Sequence, residues 1–342
     1  MIISRTPFRV SFFGGGTDYP VWYRENGGAV LGTTIDKYCY ITCRYLPPFF
    51  KHRHRIVYSR IENVEDISEI AHSSVRETMK QLQIERGIEI HHDGDLPART
   101  GLGSSSAFTV GLLNALYALK GSMVPKMQLA KEAIHIERNL LEENVGSQDQ
   151  VLVAYGGFNR IEFDRDDSAI VTPATIKPER ICELQSHLML YFTGFVRTAS
   201  DIAAAQIKET PNRKRQLKIM RQMVDVAVTI LNSNGNINEF GKLLNDSWQL
   251  KRSLTSYIST PEVDEIYSAA IQAGASGGKL LGAGGGGFIL IFCTPEKRPN
   301  VKKALSKLLH VPFKFEKQGS QIIFYEPELP YDDGNIIIST KQ

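Results

Sequence analysis

Leu96-Pro97-Ala98-Arg99-Thr100-Gly101-Leu102-Gly103-Ser104-Ser105-Ser106-Ala107 is the stretch on which the reading of the whole chain turns. Its glycines let the backbone reach positive φ and approach a ligand closely. Behind them Phe108, Leu112, Ala115, Leu116 and Leu119 recur at helical spacing and stop at Gly121, so the serines open a helix that a glycine closes. A helix start of this kind offers unpaired N–H groups and a positive dipole end to an anion. Three successive serines exceed what a cap requires, and their hydroxyls suit phosphate oxygens or a metal ion. This is not a Walker A loop, because no Lys-Ser/Thr pair follows the second glycine, nor is the loop a GxGxxG dinucleotide fingerprint.

Upstream, Ile2-Ile3 and Val10–Phe13 read as strand on either side of Arg9 and run into Gly14-Gly15-Gly16. Residues 29–45 are rich in β-branched and aromatic side chains, and Ile88-Glu89-Ile90 is a further short strand. Downstream, a second helix is expected from about Pro125 to Glu142, with Ala130, Ile134 and Leu141 on one face. Glu137 falls on that same face, where a carboxylate is costly unless it is paired or holds a metal. Asp149, in Val145-Gly146-Ser147-Gln148-Asp149-Gln150, reads by itself as an ordinary loop aspartate. The second half opens with a strand at Leu188–Phe192. It continues with helical periodicity over 201–210, 213–232, 237–254 and 261–273. A glycine-rich loop, Gly282–Gly287, leads into the strand Phe288–Phe292, and a helix near 300–309 and a strand at 321–325 close the chain. Strands followed by helices twice over predict an α+β fold of two closely packed halves.

Bulk properties exclude several classes. The 342 residues, 42% hydrophobic and 23% charged, have ordinary globular composition. Forty basic against 37 acidic residues leave a net charge of +3, too small to argue for nucleic acid, and RNA-type aromatic motifs are lacking. No apolar run approaches the roughly 20 residues of a membrane-spanning helix. The first residues lack the features of a signal peptide, so a cytoplasmic address is the expectation. Cys39, Cys43, Cys182 and Cys293 do not form a disulfide pattern. Cys39 and Cys43 with His52 and His54 could be drawn as a zinc site, but the spacing is irregular, and buried thiols with surface imidazoles are the better reading. Lys51-His52-Arg53-His54-Arg55 is a basic run that reads either as a solvated loop or as a clamp for a phosphorylated ligand.

Three separated motifs together resemble the GHMP kinases, the family of galactokinase, homoserine kinase, mevalonate kinase and phosphomevalonate kinase. They are Pro7-Phe8-Arg9-Val10 with Gly14–Tyr19, Pro97 with Gly101–Ser106, and Lys279–Gly287, in the family's order and spanning nearly the whole chain. The resemblance implies an N-terminal α/β half of the ribosomal-protein type (1–180) packed on a C-terminal ferredoxin-like helical half (181–342). It implies ATP binding by Pro97, Gly101, Leu102, Gly103, Ser104, Ser105 and Ser106, with Mg2+ held by Ser105 and Glu137. Asp149 matches the catalytic aspartate that accepts or orients the acceptor's proton. Arg9 matches the neighbouring basic residue that stabilises charge on the transferring phosphoryl group, a lysine in mevalonate-kinase-like members. Gly15, Gly16, Thr17, Asp18, Gly284 and Gly285 would line the acceptor site.

Glycines stand where galactokinases have a glutamate-histidine pair, which disfavours galactose. The Gly-Thr-Asp form is similar to the branch that holds kinases of fucose and of heptose 7-phosphate, and the Pro47–Ser59 region to the heptose enzymes. On that resemblance Arg53 and Arg55 would clamp the distal phosphate of a sugar phosphate, and the product would be a heptose 1,7-bisphosphate used for nucleotide-activated heptose and surface glycans. The alternatives are an unphosphorylated sugar such as L-fucose, or a non-catalytic ligand-binding homologue. The expected partners are a sugar or sugar phosphate, with no nucleic acid and no membrane, the chain being monomer or homodimer.

Overall fold

A computed structural model describes residues 1–195 and 199–327. The last positions of the expected 181–342 half lie outside them. Two sheets organise the chain. The larger runs in the order Gln321–Tyr325, Ile2–Phe13, Gly28–Tyr45, Ile88–Gly94, His54–Val57, Ile61–Val64; Phe158–Phe163, with Ala169–Pro173 beyond it, and Phe315–Glu316 pair elsewhere along the long Gly28–Tyr45 strand. The smaller sheet is antiparallel, in the order Leu309–Val311, Leu188–Phe192, Phe288–Phe292, Gly277–Leu280. The expected α+β class is thus observed. Phe315–Glu316 and Gln321–Tyr325 return to the first sheet, so the last described strands belong structurally with the first.

The first strand is continuous from Ile2 to Phe13, although the sequence suggests two pieces. Pro7 causes the ambiguity: it has no N–H to donate, and the register against Gly28–Tyr45 shifts between Pro7 and Phe8. The neighbouring strand Gln321–Tyr325 pairs only with Ile2–Arg5. Beyond Pro7 no strand pairs with that edge among the described residues, and there the Arg9 N–H donates to the Leu102 carbonyl at 3.0 Å. The bulged strand thereby docks the glycine-serine loop.

The helix Ser104–Leu119 packs flat on the strands Ile2–Phe13 and Gly28–Tyr45. A Cβ at Gly111 would lie 2.8 Å from the Thr6 hydroxyl, and Ser4 Oγ donates to the Gly111 carbonyl at 2.8 Å, so the missing side chain allows this close approach. In the second half, Asn238–Arg252 covers the strand Gly277–Leu280, burying Phe240, Leu244, Ser247, Trp248 and Lys251 at helical spacing. Lys279 ties the sheets together: its buried ammonium donates to the carbonyls of Ser11 (2.9 Å) and Phe12 (2.8 Å). Among the described residues no helix is long and apolar enough to cross a membrane. Cys39 and Cys43 are buried on the first-sheet strand, where burial raises both thiols.

Candidate active site

One cavity collects the motifs. Arg9, Gly101, Gly103, Ser104, Ser105 and Ser106 line one wall, and Gly15, Gly16, Asp18, Gln148 and Asp149 line another. Lys251, Lys279, Gly282 and Ala283 complete it from the C-terminal half. Gly101 (φ 84°) and Gly103 (φ 73°) hold the left-handed conformations that turn the chain into the helix Ser104–Leu119. A Cβ on Gly101 would also sit 2.4 Å from the Leu281 carbonyl, so this glycine permits the contact between the two glycine loops. Pro97 and Leu102, expected among the ATP contacts, are not in the wall. Pro97 is exposed, its carbonyl accepting from Thr100 Oγ1 at 2.8 Å, and Leu102 is buried as the loop's apolar anchor.

Arg9 and Asp149 form a two-pronged pair, Nε to Oδ1 and Nη2 to Oδ2, both at 2.7 Å. The third arm, Nη1, donates to the Gly101 carbonyl at 2.7 Å. One guanidinium thus fixes the aspartate relative to the loop. The arginine side chain is 4% exposed and the aspartate 26%, so the carboxylate is the member open to the cavity. Asp149 is not in a loop. It occupies the first turn of the helix Gln148–Tyr155, whose start is hidden in sequence by the polar run from Gly146 to Gln150.

Glu137 lies on a π-helical turn, Ile136–Leu140, appended to the helix Lys126–His135. Such a turn changes the face on which following side chains emerge and recurs at functional sites. The side chain is wholly buried, as its apolar-face position predicts. Oε2 accepts from Ser106 Oγ at 3.0 Å and from Gln150 Nε2, while Oε1 has no hydrogen-bond partner among the described residues. Burial outweighs these hydrogen bonds and pushes the carboxyl up to about 7. An orphaned carboxylate oxygen beside a serine hydroxyl fits a hard cation, which Mg2+ satisfies with few protein ligands. The hydroxyl on Glu137 belongs to Ser106, however, and not to Ser105. Ser105 is exposed on the cavity wall one residue earlier.

On the acceptor side Asp18 is buried, with Oδ1 accepting from the Gly16 N–H at 2.9 Å and Oδ2 from the Gln148 N–H at 3.4 Å. Desolvation raises its carboxyl above the ordinary range. A Cβ at Gly146 would fall 1.9 Å from Asp18 Oδ2, so that glycine makes room for the carboxylate.

Three groups of residues expected on the acceptor side do not line this cavity. Thr17 faces away from the cavity: its hydroxyl donates to the carbonyls of Gly14 (2.8 Å) and Ala29 (3.0 Å) and accepts from the Ala29 N–H (3.1 Å), which fixes the turn. Gly284 and Gly285 pack on Ile258, the Gly285 N–H donating to its carbonyl at 2.9 Å, and the loop reaches the cavity through Gly282 and Ala283. Arg53 donates to the Glu85 carbonyl and Arg55 faces Glu89 at 3.5 Å, beside the strand His54–Val57; neither lines the cavity. Arg53→Ala combined with Arg55→Ala is therefore expected to leave the KM for a phosphorylated sugar within about twofold of wild type. Steady-state kinetics checks this, and a large rise in KM for the phosphorylated sugar alone would restore the clamp.

Lys251 escapes a motif-based reading, though a signal exists. It continues the inward series Leu244, Ser247, Trp248, where a lysine is out of place unless it serves something inside.

Comparison with known proteins shows the family. Residues 69–157 match the GHMP kinases N terminal domain, and residues 227–311 match GHMP kinases C terminal. The chain is 30% identical over 333 residues to the D-glycero-alpha-D-manno-heptose 7-phosphate kinase of Campylobacter jejuni, covering 93% of this chain and 97% of that protein. The chain belongs to the GHMP kinase family. The crystal structure of a D-glycero-D-manno-heptose 1-phosphate kinase from Bacteroides thetaiotaomicron superimposes with a TM-score of 0.74 at 26% identity, over 94% of this chain and 98% of that one. The bifunctional fucokinase/GDP-fucose pyrophosphorylase of Arabidopsis thaliana is 26% identical over 88% of this chain and 31% of its own length. This GHMP kinase is an ATP-dependent phosphotransferase acting on an alcohol group of a sugar.

Proposed function

We propose that this GHMP kinase transfers the γ-phosphoryl group of ATP to the C1 hydroxyl of D-glycero-D-manno-heptose 7-phosphate, giving the 1,7-bisphosphate. The observation that carries the transfer chemistry is the Arg9–Asp149 pair fastened to the Gly101 carbonyl, which sets an open carboxylate beside the phosphate loop. Loop N–H groups and the start of Ser104–Leu119 bind nucleotide phosphates. Asp18 and Asp149 accept hydrogen bonds from sugar hydroxyls, Asp149 from the attacking one. Both Asp149 oxygens already accept from Arg9, so its role is to orient the hydroxyl in a loose, dissociative transfer that demands little base strength. Glu137, with Ser105 and Ser106, would hold Mg2+, which when bound offsets the charge of the phosphates. The heptose assignment rests on the near full-length likeness to the Campylobacter jejuni enzyme.

L-Fucose is the second reading, favoured by the engagement of Arg53 and Arg55 outside the cavity and by the likeness to the Arabidopsis thaliana protein. ADP release measured with heptose 7-phosphate, L-fucose and D-galactose separates the two. The expected result is a kcat/KM at least about tenfold higher for heptose 7-phosphate, a gap of roughly 1.4 kcal/mol. Preference for fucose would overturn the assignment.

A further inference from the structure

The C-terminal wall holds a charge that no motif explains. Lys251 lies near the end of the helix Asn238–Arg252, is 6% exposed, and lines the cavity. Its ammonium can donate three hydrogen bonds. Among the described residues its hydrogen-bond acceptor is the Gly282 carbonyl, and no carboxylate lies within ion-pair distance. An ammonium buried against a single carbonyl is costly unless an anion completes its surroundings. The charged groups that face it are Arg9, Asp18, Asp149 and Lys279.

Its anchorage says where such an anion would sit. A Cβ on Gly282 would lie 2.4 Å from the Gly101 Cα, so the carbonyl that Lys251 holds belongs to the residue packed on the phosphate loop. The Gly101 carbonyl in turn accepts from Arg9. Lys251 and Arg9 thus converge on the junction of the two glycine loops from opposite halves of the chain. Burial, with Arg9 adding to it, draws the lysine down to about 8.

We propose that Lys251 is a further catalytic residue, a second cation that binds phosphate oxygens in the cavity across from Arg9. The oxygens belong either to the phosphoryl group in transfer or to the phosphate of the acceptor. The proposal rests on the sugar-phosphate kinase reading above. It is tested on the full-length protein with Mg-ATP and heptose 7-phosphate, comparing wild type, Lys251→Met and Lys251→Arg.

Lys251→Met should lower kcat/KM about a hundredfold, the scale for losing one charge-stabilising donor, with ADP affinity by calorimetry unchanged. Lys251→Arg should recover part of the loss. Weakened calorimetric binding of heptose 7-phosphate identifies the acceptor's phosphate; unchanged binding with a collapsed kcat identifies the transferring group. A folded Lys251→Met protein within threefold of wild type overturns the proposal and leaves Lys251 as a mere tie to Gly282. Should Lys251→Met fail to fold, the pH profile of kcat/KM decides. A wild-type limb near pH 8 that moves upward in Lys251→Arg supports the assignment, and the same limb in both proteins overturns it. Absence of wild-type turnover with heptose 7-phosphate overturns the acceptor reading instead, and the lysine variants are then compared on the sugar that is turned over.

Discussion

Asp149→Asn is expected to lower sugar-dependent ATP turnover about a thousandfold while ATP binding persists. The carboxylate is the one member of the Arg9 pair open to the cavity, and Arg9 spends two of its arms holding it. Asparagine preserves the shape but turns an N–H group toward a guanidinium that only donates, so the orientation of the side chain is lost together with its charge. Arg9→Met should be comparably damaging, because the same guanidinium fixes the Gly101 carbonyl. The double variant should cost little more than either single one, as expected of groups that act as a unit. Coupled ADP assays give kcat, and calorimetry gives the ATP affinity. A kcat within tenfold of wild type for Asp149→Asn would remove the aspartate from the chemistry.

Glu137→Gln should trade activity for stability. The glutamate is wholly buried, with one oxygen lacking a hydrogen-bond partner among the described residues, and its carboxyl is raised from 4.5 to about 7. A raised carboxyl means that the folded protein binds the proton more tightly than the unfolded chain. Stability therefore falls as pH rises from about 4.5 to about 7, and the full penalty remains above that. Glutamine carries no charge to desolvate. At pH 8, without nucleotide or Mg2+, the variant should be more stable by on the order of 3 kcal/mol, an advantage that vanishes near pH 4. With Mg-ATP it should lose turnover about a hundredfold, because it supplies no carboxylate to a cation. Thermal melts across pH with paired kinetics check both halves. A variant less stable than wild type at pH 8 would show that the carboxylate is structural.

The two predictions mark what the sequence made legible. Glu137 could be placed inward from helical spacing alone, since a carboxylate in step with Ala130, Ile134 and Leu141 faces where they face. The π turn beneath it could not, because one inserted residue leaves no compositional trace. The glycine-serine loop and its helix were readable because glycine, serine and apolar period act locally. Tertiary contacts were less accessible. Thr17 looks like a ligand contact beside Asp18, but the carbonyls of Gly14 and Ala29 claim its hydroxyl. Arg53 and Arg55 resemble a clamp in sequence, and only the pairing of His54–Val57 with Ile88–Gly94 sets them against Glu85 and Glu89. Asp149 was visible through its family motif and not through its surroundings, which Arg9 supplies from 140 positions away. Phe158–Phe163 buries alternate residues, but one of them is Asn159, and Ile61–Val64 buries none, so neither strand shows an apolar alternation in sequence.

The position of phosphorylation tests the central claim most directly. The protein is incubated with Mg-ATP and heptose 7-phosphate, and the product is read by phosphorus NMR. The account predicts a second phosphate ester, coupled to the anomeric proton, on a molecule that retains its 7-phosphate, with one ADP formed per ester. An ester at any other carbon, or ADP formed with free phosphate and no new ester, would contradict it.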